Sequence, residues 1–111
     1  MTKFIKVAYW ICKEDVEYSY KMKISYINID SIYKIYTAKK ENKYYSKYDD
    51  PIIFNFSHFF EDSENAKKMT TSTPTIIITK EKDTFYHPLS IKELIKNQEI
   101  SITNRFDIMD L

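Results

Sequence analysis

Thr73-Pro74-Thr75-Ile76-Ile77-Ile78-Thr79-Lys80-Glu81-Lys82-Asp83-Thr84-Phe85-Tyr86-His87-Pro88-Leu89-Ser90-Ile91-Lys92-Glu93-Leu94-Ile95-Lys96 carries the clearest local structure signal in the chain. Thr75 to Lys80 is β-branched almost throughout, which favours an extended backbone. Glu81-Lys82-Asp83 turns the chain, Thr84 to His87 returns as a second strand, and Pro88 ends it. Ser90 stands three residues before Glu93, the spacing of a capping box, in which each residue satisfies a free backbone N–H of the other. Ile91, Leu94 and Ile95 then fall on one stripe, enough to lay a helix on a sheet.

Upstream of this unit the chain is rich in strand signals. Residues 3 to 12 form a β-rich run in which Ile5, Val7, Tyr9 and Ile11 are apolar, while Phe4, Lys6, Ala8, Trp10 and Cys12 are mixed. That pattern suits a strand covered on one face and partly on the other. Val16, Tyr18, Tyr20, Met22 and Ile24 alternate with Glu17, Ser19, Lys21 and Lys23, so a half-buried strand pairs back on the first run as a hairpin. Beyond Ile24 the apolar set moves to Ile27 and Ile29, and a β-bulge near Ser25-Tyr26 is expected to cause the switch. Ile32 to Thr37 resumes as a strand after Asn28, Asp30 and Ser31.

Residues 38 to 50 read as a long polar loop holding Tyr44, Tyr45 and Tyr48. Ile52 to Phe60 reads as a strand with Phe54, Phe56, His58 and Phe60 on one face, and Ser63 is placed to cap a short helix running to Met69. After the firm helix, Gln98 to Thr103 suggests a last short strand through Ile100 and Ile102. The tail from 104 to 111 carries Phe106, Ile108, Met109 and Leu111, which suit either the chain's own core or a neighbouring protomer.

The fold class expected is therefore mainly β with one packed helix (α+β): a twisted antiparallel sheet or small open barrel of about six strands, with a capped helix near the C-terminus. At 111 residues the chain is expected to be one domain, residues 1–111. The 17 basic and 16 acidic residues leave a net charge of +1, so no global field draws it to nucleic acid or anionic lipid. Glycine is absent, so turns needing positive φ are expected to use Asn or Asp, or to be avoided. The single cysteine, Cys12, excludes an intrachain disulfide, and no apolar run approaches about 18 residues. With no leader-like start, the expected location is a reducing cytoplasm, bacterial or that of a phage-infected host.

Chemistry-bearing constellations are few. His58, His87 and Cys12 lack ligand spacing, so no metal is expected. Cys12 has no local base, Asp49-Asp50 and Glu61-Asp62 read as solvated pairs, and a phosphate-cradling glycine loop is excluded, so neither enzyme nor cofactor is expected. An anionic ligand finds candidates at the start of the helix: His87 and Lys92 flank free N–H groups, Tyr86 offers a ring to stack, and Arg105 in the tail offers a guanidinium. Tyr44, Tyr45, Tyr48, Phe106 and Met109 are candidates for partner contact, and exposed sheet edges favour a homo-oligomer. Lys and Tyr interleaved from Lys39 to Lys47 keep nucleic-acid binding as a further alternative.

Phe4-Ile5-Lys6-Val7, Tyr26-Ile27-Asn28-Ile29-Asp30-Ser31-Ile32 with Ile35, Thr75-Ile76-Ile77-Ile78, Tyr86 and Ser90-Ile91-Lys92-Glu93-Leu94-Ile95 together resemble the small FlbD-type proteins and similar short reading frames of phages and prophages. Against that pattern residues 38–74 stand as an insertion carrying a loop and an extra strand, residues 98–111 as an extension, and the usual Asn-Gly turn between the first strands is missing. The resemblance implies a non-catalytic accessory protein of a phage or mobile element that acts by binding. It would block a host defence protein or sequester an anionic nucleotide messenger in an oligomer. A flagellar-type or other regulatory protein–protein module is the alternative it also implies.

Overall fold

Strand-forming residues dominate the chain, and the architecture follows them. The computed structural model describes residues 3–12, 20–38, 54–56, 59–60, 70–71, 73–101 and 106–108. It is mainly β: β1 (Phe4–Cys12), β2 (Tyr20–Asn28), β3 (Ile32–Thr37), β4 (Phe54–Asn55), β5 (Thr70–Thr71), β6 (Thr75–Thr79), β7 (Thr84–His87), the helix α1 (Ile91–Lys96), and β8 (Asp107–Ile108). Six strands make one open sheet in the order β2-β1-β7-β6-β3-β8, and β4 pairs with β5 in a separate small sheet. The main sheet is open rather than a barrel. It is mixed rather than wholly antiparallel, because β8 runs parallel to β3.

The β1–β2 hairpin forms as expected, but the bulge expected at Ser25-Tyr26 is absent. The register runs unbroken from Phe4↔Asn28 to Cys12↔Tyr20. The apolar set changes parity because the two faces of the sheet are covered at different places. Ile5, Val7 and Ile27 belong to a core beneath α1, with Ile29, Ile32, Ile35, Ile77, Ile91, Leu94 and Ile100. Ala8, Trp10 and Met22, on the opposite face, belong to an aromatic core with Phe54, Phe56 and Phe59. The bulge lies instead in β3, where the register shifts between Ile32 and Lys34. Tyr33 is the extra residue, so Ile32 and Ile35, three apart, both reach the helix-side core. Ahead of β3 a 3-10 turn spans Ile29–Ser31, capped by the Asn28 side chain, which accepts from the Asp30 amide at 2.8 Å.

The unit from β6 to α1 forms as its sequence dictates. β6 lies between β3 and β7, and Ile76 and Ile77 are fully buried on its two faces. At the β6–β7 turn the Lys82 amide donates to the Thr79 carbonyl at 2.9 Å, and the Thr79 amide donates to the Asp83 carbonyl at 3.0 Å. This is a three-residue hairpin loop closed by a left-handed residue, Lys82 at φ 71°. The capping box of α1 is complete, with Ser90 and Glu93 each serving the other's backbone N–H. The helix ends with the Gln98 amide donating to Ile95 at 3.0 Å and the Glu99 amide to Leu94 at 2.9 Å, a Schellman closure with Gln98 at φ 60°. The positive-φ positions among the described residues are thus Lys and Gln, not Asn or Asp. The strand expected over 98–103 does not form over its described part. Gln98 to Ile100 is the helix exit, and Ile100 drops into the core.

Ile52 to Phe60 is not one continuous strand. Strand pairing covers Phe54 and Asn55, and the chain then turns, with the Phe59 amide donating to the Phe56 carbonyl at 3.0 Å. The turn sends both Phe56 and Phe59 into the aromatic core. This segment joins no strand of the main sheet and lies across its second face. The expected loop beyond Ala38, the expected helix from Ser63 to Met69, and Tyr44, Tyr45, Tyr48, His58, Arg105 and Met109 lie outside the described residues.

Two substitutions test the local chemistry of α1. Gln98→Gly relieves a side chain held at positive φ and is expected to stabilise the fold by up to about 1 kcal/mol, read as a rise of a few degrees in the thermal midpoint. Ser90→Ala removes the cap and is expected to cost about 1 kcal/mol in urea unfolding.

Candidate functional site

Of the ligand residues expected from the sequence, Tyr86, His87 and Lys92 are described; the first two meet phenylalanines of the aromatic core and the third is exposed. Tyr86 lies on β7 in register with Ala8 of β1, and its ring stacks on Phe54 at 5.1 Å and meets the edge of Trp10 at 5.2 Å. It is a member of the aromatic core rather than a platform for a base. Lys92 is exposed on α1. At the start of the helix the capping pair engages two backbone N–H groups: the Ser90 amide donates to Glu93 Oε1 at 3.4 Å and the Glu93 amide to Ser90 Oγ at 3.2 Å. Phe106, of the expected partner-binding set, packs against the helix-side core while β8 pairs with β3, so the described part of the tail closes its own chain.

His87 sits where Pro88 turns the chain out of β7, and it is 4% exposed. Its Nδ1 accepts from the Leu89 amide at 3.1 Å, which requires the neutral ring with its proton on Nε2. Its ring meets the edge of Phe59 at 5.0 Å. Burial, with a smaller contribution from the Lys6 charge, lowers its pKa from 6.5 to about 4. At neutral pH it therefore offers no positive charge to an anion. Lys6 Nζ donates to the Phe59 carbonyl and lies 5.0 Å from the Phe59 ring centroid. Among the described residues no group of three or more His, Cys, Asp or Glu is placed to hold a metal ion.

The surface that the sequence did not single out is the outer end of the β1–β2 hairpin. On one face Phe4 stands opposite Asn28, Lys6 opposite Tyr26, Ala8 opposite Ile24, and Trp10 opposite Met22. The β4-bearing layer covers Ala8, Trp10 and Met22. Phe4, Ile24 and Tyr26 are not in that cluster and are 55%, 37% and 62% exposed. These three form a diagonal apolar stripe along one face. Among the described residues β2 is also an outermost strand of the sheet, and it spans nine residues. The alternation along Val16 to Ile24 signals a buried face, so sequence alone assigns Ile24 to the core. Where the covering layer ends is a tertiary fact.

Acid sensitivity follows from His87. The unfolded chain takes up a proton near pH 6.5 and the folded chain near 4, so His87 favours folding fully above about 6.5 and progressively less as pH falls toward 4. Unfolding free energy is expected to be about 2 kcal/mol lower at pH 5 than at pH 7 from this group. His87→Asn keeps an acceptor for Leu89 and removes the titration. Its urea midpoints at the two pH values are expected to lie correspondingly closer together than those of the parent.

No family model, no curated protein and no solved structure matches this chain.

Proposed function

We propose that this chain is a non-catalytic binding protein that captures an extended segment of a partner protein along β2. The observation that carries the reading is the coincidence of a nine-residue strand that is outermost among the described residues with an exposed apolar stripe on the same hairpin. An edge strand presents backbone N–H and C=O groups that an added strand can pair, while pockets and patches beside it select alternate side chains. The partner segment that fits has apolar residues at every second position, laid over Phe4, Ile24 and Tyr26, and polar residues between them. Lys23, on the other face of β2, favours an acidic residue among the latter.

Blocking a host defence protein is the specific form of this reading that the FlbD-type and phage resemblance favours, with a regulatory protein–protein module as the other form. Sequestering a nucleotide messenger has less support, since the Tyr86 ring is packed on Phe54 and His87 is buried with its Nδ1 bonded to Leu89. No helix among the described residues is long and apolar enough to cross a membrane, so nothing in them argues for a lipid partner of that kind.

Selection of displayed linear peptides against the immobilised chain tests the reading. Binders are expected to alternate apolar and polar residues, and Ile24→Lys with Tyr26→Lys is expected to weaken them at least about tenfold. Ser90→Ala, remote from the edge, should leave them unchanged. Binders indifferent to the double substitution would overturn the reading. So would a dimer in solution that the same substitution dissolves, which would assign the edge to a second copy of the chain.

A further inference from the structure

We infer, resting on the strand-capture reading above, that the captured segment runs antiparallel to β2 and bonds to it through the same alternate residues that lay their side chains on the apolar stripe. The inference rests on hydrogen-bond parity. In an antiparallel pair, residues that exchange both N–H···O bonds alternate with residues whose N–H and C=O point to the opposite side. The Ile29 amide donates to the Lys3 carbonyl at 2.9 Å, and these two residues continue the β1–β2 register one step beyond Phe4↔Asn28. The pairs bonded across the hairpin are therefore Ile27 with Ile5, Ser25 with Val7 and Lys23 with Tyr9. Tyr26, Ile24 and Met22 fall between them, so their N–H and C=O groups point away from β1, toward the outer edge.

The other half of the sheet gives the same parity from a separate starting point. The Thr79 amide donates to the Asp83 carbonyl at 3.0 Å, which makes Ile77 with Phe85 and Thr75 with His87 the bonded pairs of β6 and β7. Tyr86 falls between them and turns its backbone from β6 toward β1. Ala8, opposite Ile24, turns its backbone from β2 toward β7. The two meet as the bridged pair of that seam.

Side chains alternate in step with the backbone. Ile24 and Tyr26 thus present an outward backbone and an exposed apolar side chain at once, and Met22 continues the row toward the aromatic core. A segment laid antiparallel along Met22 to Tyr26 sets one residue opposite each of these three, and each exchanges two bonds, about six in all. A parallel segment of the same length bonds through the residues between, and two of its bonds fall beyond its ends, which leaves about four. Antiparallel addition is therefore favoured for a short segment. It also divides the partner's residues by duty. The apolar ones need their N–H groups, while the intervening ones point theirs away from β2 and tolerate proline. The partner that fits is an extended segment with proline admitted at intervening positions and excluded at apolar ones.

Amide exchange and N-methyl scanning test this with the full chain. By NMR, the amides of Met22, Ile24 and Tyr26 are expected to exchange at least about tenfold faster than those of Lys23, Ser25 and Ile27. They are expected to gain protection when a peptide selected on the immobilised chain is added in soluble form. In that peptide, single N-methyl groups at the apolar positions are expected to weaken binding at least about tenfold, and at intervening positions by less than about threefold. Losses at the intervening positions alone would overturn the antiparallel assignment and leave strand capture standing. No loss at any position would overturn both. Equal or reversed exchange rates along β2 in the free chain would overturn the outward assignment of Ile24 and Tyr26.

Discussion

Burial of β1 on both of its faces is the constraint on which the rest of the structure depends. Ile5 and Val7 are sealed beneath α1, and Ala8, between them and Trp10, is sealed by the phenylalanines of the second layer. A strand in that position needs cover from two directions. The capped helix gives one cover and the aromatic segment the other. A side chain of Leu, Ile or Phe size gives roughly 1.5–3 kcal/mol when fully buried, so neither layer is an accessory to stability. The two layers differ in how they are tied. α1 follows β7 directly and is fixed by its caps, whereas the β4-bearing layer is held by ring contacts and by the Lys6 and His87 contacts at Phe59.

Much of the scaffold is legible from the residues themselves. The β6–β7–α1 unit is local: β-branched residues, a charged turn, a proline stop and a Ser–Glu capping pair each act within a few positions. β3 is read equally well, because Asn28 and Ser31 announce the turn before it. The misplaced bulge is instructive. A change of parity from Ile24 to Ile27 signals either a slipped register or a strand covered on both faces, and only the second layer decides between them. The nine-residue strand expected around Phe54 fails for a related reason. Phe54, Phe56 and Phe59 all seek one core, and a turn that brings Phe59 round satisfies them better than an extended chain.

The candidate site was less legible than the fold. Helix starts invite an anion in general, but the Glu93 that makes the capping box recognisable already brings a carboxylate to this one, bonded to Ser90. His87 reads in sequence as an accessible group before a proline. Its burial depends on Phe59, a residue 28 positions earlier, and no local pattern reports that contact. Ile24 reads as core by alternation, Phe4 falls in the mixed set of β1 and Tyr26 at the expected bulge, and all three stand exposed.

The seam between β1 and β7 has a mechanical meaning. Along it the register holds one bridged pair, Ala8 with Tyr86, whereas β1 and β2 share nine and β3 and β6 share five. The sheet is thus two backbone-bonded plates, the β1–β2 hairpin and the strands from β7 to β8, joined mainly by side chains that cross the join on either face: Tyr9 against Phe85 on one side, Trp10 against Tyr86 on the other. Such a join resists shear through packing rather than through a ladder of hydrogen bonds. The angle at which the outer rim of the hairpin is presented is therefore set by those rings, with Ala8 and Tyr86 as the bridged pair between the plates.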